Sequence, residues 1–189
     1  MIKKSYIISI IAIFVFLGIS ATWVISKANS SIQELPPIIK GIPNFEMTSH
    51  LGTTFNQDSL KNKISIIDFI FTSCPGPCPI MSDNMRTLYK QYARHSNLQF
   101  VSISVDPEYD SEEVLLEYAN ALGVSDNRWK FLRSDMQSIK KLSTEGFMFM
   151  SENLPAGHSV KFILVDELGN IRQFYNGTDD GSIAILRTH

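Results

Sequence analysis

The sequence predicts an α/β domain with a mixed central sheet, preceded by an N-terminal transmembrane helix. Three observations predict it. Short runs rich in Ile, Val and Phe alternate with segments of helical periodicity. The last two of these runs flank a turn, which makes them a hairpin rather than a crossover. Ahead of everything stands an uncharged, apolar segment of 21 residues, 6–26.

Taken in order, Lys3 and Lys4 precede that segment, which is longer than the apolar core of a signal peptide and long enough to span a bilayer as a helix. The two lysines favour a cytoplasmic N-terminus and so an extracytoplasmic body. No cysteine follows the segment to carry a lipid; small residues such as Ala21 and Ala28 leave a cleaved signal peptide as the alternative. Residues 1–27 are therefore expected as a membrane anchor, 28–43, with Pro36, Pro37 and Pro43, as a tether, and 44–189 as one globular domain. Within it, 45–55 reads as a hairpin turning at Leu51-Gly52-Thr53. Residues 64–71 read as a buried strand. A helix follows over about 79–95, with Met81, Met85, Leu88 and Tyr92 as its apolar stripe. A second strand is expected at 99–105. Asp110 and Glu113 then have capping-box spacing before a helix whose face is Val114, Leu115, Tyr118, Ala119 and Leu122, closed by Gly123. A short strand at 129–132, a short helix at 136–142 and a hairpin of 160–165 with 171–175 complete the sheet. Asp179 and Asp180 cap a last short helix. This order, with a cysteine pair leaving the first core strand, predicts a thioredoxin-like fold.

The chemistry concentrates in Cys74-Pro75-Gly76-Pro77-Cys78, which holds both cysteines of the 189-residue chain. The pair straddles a strand-to-helix turn, where unpaired N–H groups and the helix dipole favour a thiolate and are expected to lower its pKa. A thiolate is both nucleophile and soft-metal ligand, so two chemistries stay open. In the predicted fold His158, at the start of the late hairpin, reaches the same turn. Two thiolates and an imidazole suit copper(I), and the imidazole also accommodates copper(II); structural zinc usually takes four protein ligands, and only three candidates are present. The alternative is thiol–disulfide exchange or redox sensing by Cys74 and Cys78. A peroxidase lacks an identifiable supporting arginine, and a purely structural disulfide leaves His158 unexplained. Met148 and Met150, alternating with Phe147 and Phe149, are expected to fill apolar space rather than bind metal. His50 and His95 are expected at the surface. Asp106 either tunes the site or caps its turn, and Asp68, inside the first core strand, needs a partner or a raised pKa.

From residue 44 to about 177 the sequence resembles the SCO/SenC family of cytochrome c oxidase assembly proteins. The resemblance rests on Asp68-Phe-Ile-Phe-Thr-Ser-Cys74-Pro-Gly-Pro-Cys78-Pro, on Val101-Ser-Ile-Ser-Val-Asp-Pro107, and on His158-Ser with Phe162-Ile-Leu-Val-Asp166. It implies a thioredoxin-like fold and copper bound by Cys74, Cys78 and His158. It also implies delivery to the dinuclear copper site in subunit II of cytochrome c oxidase, or reduction of that subunit's cysteines, neither of which demands substrate turnover. Two departures stand out: many members carry an acidic residue between the cysteines and an Asp before the His-Ser, where this chain has Gly76 within an uncharged spacer and Gly157. A net charge of −2 with no basic run interleaved with aromatics gives no support to nucleic-acid binding.

Overall fold

The structure is a computed structural model and describes residues 13–23 and 35–189. Residues 13–23 form a helix (α1). No helix among the described residues is long and apolar enough to cross a membrane, and the remainder of the expected anchor, with residues 28–34 of the tether, lies outside the described residues. The compact unit that carries the chemistry spans Pro36–Thr188.

Eight strands form one mixed sheet. They are β1 (Lys40–Gly41), β2 (Glu46–Ser49), β3 (Thr54–Asn56), β4 (Ile64–Ile70), β5 (Leu98–Ser104), β6 (Trp129–Arg133), β7 (Lys161–Val165) and β8 (Asn170–Asn176), in the order β1-β8-β7-β4-β5-β6-β2-β3. β4, β5 and β6 are parallel, while β7, β8 and β1 extend one side antiparallel and β2 and β3 the other. The reason is legible in β4 and β5. Both are buried along nearly their whole length, as central parallel strands covered on both faces must be, and so they read as continuous apolar runs. The crossovers between them and β6 are α2 (Cys78–Gln91) and α3 (Glu112–Ala121). Right-handed crossovers advancing in one direction put both helices on one face of the sheet. The hydrogen bond between Ser82 Oγ on α2 and Tyr118 Oη on α3, 2.9 Å, is consistent with that placement. α4 (Met136–Lys141), a π-turn over Leu142–Gly146, and α5 (Asp180–Leu186) complete the unit.

The core is aromatic at its centre. Trp129 stacks on Phe131 with ring centroids 5.2 Å apart, and its indole N–H is satisfied by Ser102 Oγ at 3.0 Å. Met81, Met85 and Leu88 are fully buried on the stripe of α2, as periodicity predicts. Gly123 closes α3 at φ +76°. Its N–H reaches Asn120 O and that of Val124 reaches Ala119 O, the paired bonds of a Schellman stop.

Several expectations are corrected. The second half of the expected tether is part of the fold: β1 pairs with β8, Ile39 N bonds Ile171 O, and Ile42 is buried, because the open edge of β8 offers unpaired backbone groups. The cap of α3 is Ser111, whose hydroxyl accepts from Val114 N, and Asp110 turns away into the interior. His50 is buried rather than superficial, since its Nδ1 accepts the Phe131 N–H and its ring meets Phe131 edge-on. In the 147–150 segment the phenylalanines take the apolar space: Phe147 and Phe149 both pack on Phe69, which turns Met148 and Met150 outward, the latter 85% exposed.

Candidate metal centre

Three separate pieces of the fold deliver the three predicted ligands. Cys78 is the first residue of α2, with Pro77 at the cap, where proline's missing N–H costs nothing. Cys74 sits in the turn just beyond β4, held by its own N–H to Phe71 O at 3.3 Å. His158 stands at the end of the loop that enters β7, its N–H bonded to Pro155 O at 3.2 Å. Their donor atoms all lie within 4.8 Å of one another, the one cluster of three or more Cys, His or acidic groups with such spacing among the described residues. His158 Nε2 is 3.2 Å from Cys78 Sγ, and its Nδ1 is 3.1 Å from Ser159 O. That second contact requires Nδ1 to carry the proton, leaving the Nε2 lone pair facing the two sulfurs. The ring is also set edge-on against Phe71, 5.4 Å between centroids.

Burial sets the protonation states. It pushes His158 below the usual imidazole range, so the ring is neutral at neutral pH and needs no proton removed before it ligates. Burial pushes the Cys78 thiol up to about 12, with the adjacent Cys74 adding to the rise. This corrects the expectation that the helix terminus lowers it: loss of water outweighs the dipole for a thiol that is 1% exposed. Cys74 is half-buried and Cys78 fully buried, so the pair is asymmetric.

Beside Cys74 opens a groove of about 280 Å³ lined by Thr72, Pro79, Ser82, Asp83, Arg86, Tyr118 and Leu122 as well as both cysteines. Asp106 is not among these residues; its carbonyl accepts from Tyr109 N and Asp110 N, and it makes the turn after β5. Asp68 is fully buried, and neither oxygen has a partner within ordinary hydrogen-bond geometry, Ser102 lying beside it across the ladder. Burial pushes its carboxyl up to about 7, and Ser102, beside it in the ladder, offsets this only in part. The residue that sequence reasoning misplaced is Asp110, whose carboxylate reaches the cysteine turn. The signal was a hydroxyl at the end of each core strand, Thr72 and Ser104, with one acid available to both.

Residues 38–188 match the family model described as SCO1/SenC. The SCO1 protein homolog of Bacillus subtilis (strain 168) is 30% identical over 151 residues, covering 76% of this chain and 78% of that protein. Among solved structures, BsSco, described as a member of the Sco family of cytochrome c oxidase assembly proteins with a disulfide switch, superposes with a TM-score of 0.70 at 25% identity, over 82% of this chain and 97% of that one. Yeast Sco1 with copper bound shares the fold, with a TM-score of 0.63 at 24% identity, over 78% of this chain and 87% of that one. With the thioredoxin-like sheet, the cysteine turn and the opposed histidine in place, the chain belongs to the SCO1/SenC family.

Proposed function

We propose that this protein is an extracytoplasmic, membrane-anchored metallochaperone that binds copper through Cys74, Cys78 and His158 and serves assembly of the dinuclear copper site in subunit II of cytochrome c oxidase. One observation carries the reading: two sulfurs and an imidazole nitrogen from three distant parts of the chain converge within 4.8 Å. The donor set fits the cargo. Thiolates select copper(I), and the neutral imidazole also accommodates copper(II). The relatives named above support the reading, one as an oxidase assembly protein and one with copper bound. The apolar segment over 6–26 supports the anchor.

The mechanism is ligand exchange. Both cysteines line the groove, but Cys78 and His158 are buried and Cys74 is only partly so, which makes Cys74 the ligand an incoming thiolate displaces first. Cys78 and His158 retain the cargo until further partner ligands replace them. The asymmetry of the pair also favours a second reading, in which Cys74 attacks a disulfide of subunit II and Cys78 resolves the mixed disulfide. That step releases two partner thiols and leaves a Cys74–Cys78 disulfide. Copper transfer from the loaded chain to the apo copper domain of subunit II separates the two. The chaperone reading expects transfer from the wild type and little from His158→Ala. No transfer, with reduction of a subunit II disulfide undiminished in His158→Ala, would establish the reductase instead.

A further inference from the structure

We infer that Asp110 is a positioning residue for the metal centre, fixing the turn that presents Cys74. The inference rests on the copper reading. Of the three ligands only Cys78 lies within a regular element; His158, three residues before β7, is held by its N–H on Pro155 O and its Nδ1 on Ser159 O, and Cys74 lies in the turn beyond β4. Something else has to hold that turn, and the carboxylate of Asp110 does so. Both of its oxygens accept the Thr72 N–H at 3.3 Å, one accepts the Thr72 hydroxyl at 2.5 Å, and the other accepts the Ser104 hydroxyl at 2.5 Å. Thr72 stands two residues before Cys74, and Ser104 ends β5.

The carboxylate is fully buried, 38 positions from Thr72 in sequence. Burying an acid without a cation is costly, so its retention at this point has to be matched by what it holds. Every donor it takes is an N–H or O–H of the strand ends flanking the cysteine turn, and charge-assisted bonds of this kind are roughly twice as strong as neutral ones. Arg133 completes the frame from outside: its Nε donates to the Asp110 carbonyl at 3.0 Å and a terminal nitrogen to the Pro107 carbonyl at 3.1 Å, so the loop carrying Asp110 is itself pinned to β6. The chain of support therefore runs from β6 through Arg133, Asp110 and Thr72 to Cys74. Groups hydrogen-bonded directly to metal ligands commonly contribute roughly 10- to 100-fold in affinity; Asp110 acts one step removed, through Thr72, so its effect falls toward the lower end of that range.

The test uses the full chain in detergent, with copper(I) as probe against a competing chelator. It compares the wild type with Asp110→Asn, Thr72→Val and Thr72→Ser, and includes His158→Ala as reference. Copper(II) derivatives add a second readout, the intensity and position of the thiolate-to-copper charge-transfer absorption. The metal-free chain gives a third, the rate at which Cys74 is alkylated. Asp110→Asn keeps the shape but sets an amide N–H₂ against donors, so affinity should fall roughly 10-fold with a shifted absorption and altered alkylation. Thr72→Val, which loses one hydroxyl and retains the N–H, should show a smaller change of the same kind, and Thr72→Ser should restore wild-type behaviour. Should Asp110→Asn fail to fold, Thr72→Val against Thr72→Ser decides alone. Wild-type affinity, absorption and alkylation in folded Asp110→Asn, or in Thr72→Val, would overturn the inference while leaving the copper reading intact. Loss of copper binding from the wild type itself would instead remove the reading on which it rests.

Discussion

Asp68 concentrates the tension of the site in one residue. A carboxyl sealed inside β4, with only Ser102 beside it to favour the charged form, is driven toward its protonated state, and burial raises its pKa to about 7. The folded state therefore holds a proton that the unfolded chain releases near pH 4. Stability from this group is fully present below pH 4, declines as pH rises, and is lost above pH 7; the span corresponds to something on the order of 4 kcal/mol. Asp68→Asn, which cannot ionise, should flatten the fall in stability between pH 4 and 7, as read by urea unfolding at a series of pH values. An unchanged pH profile would mean that Asp68 is solvated or paired. The sequence exposed this residue as an oddity within an apolar run, but could not say which way it resolves, because a partner for it would have to come from a strand 34 positions away.

At the scale of elements, what was legible followed from local pattern. The strands, the stripe of α2, the Gly123 stop of α3 and the Asp179 cap of α5 each declare themselves within a few residues, and each is present. What was misread depends on distant company. Asp110 and Glu113 have the spacing of a capping box, but Ser111 holds the cap, and Asp110 is drawn inward by Thr72 and Ser104. Met148 and Met150 look like core by composition. The packing of Phe147 and Phe149 on Phe69 fixes the alternation the other way. Likewise Pro36 to Pro43 reads as linker, yet β8 recruits Lys40 and Gly41 as an edge strand and the core takes Ile42. If that segment belongs to the fold, Ile42→Ala should destabilise the chain by about 2–4 kcal/mol in chemical denaturation. A change within about 0.5 kcal/mol would return the segment to the status of a linker.

For the whole molecule, the fold serves to bring together residues that the sequence keeps 80 positions apart. Cys78 opens α2 and His158 precedes β7, and they meet because β7 returns antiparallel beside β4, the strand that leads into the cysteine turn. The candidate ligands could be proposed from the sequence because two cysteines and four histidines are few enough to weigh singly, and His158 is the histidine that precedes the late hairpin. Their protonation could not, because it depends on how deeply the neighbouring rings enclose them. That enclosure gives copper binding a definite signature. His158 is already neutral, whereas Cys78 holds its proton until the metal displaces it, so apparent affinity should rise about tenfold per pH unit for each proton released. The measurement that tests the central claim most directly is copper(I) stoichiometry and affinity on the reduced, anaerobic full chain across pH 6 to 8, with His158→Ala alongside. The account predicts one tightly held copper per chain, tightening with pH and weakened at least tenfold by the substitution. Copper bound only weakly, or with the same affinity when His158 is alanine, would contradict it.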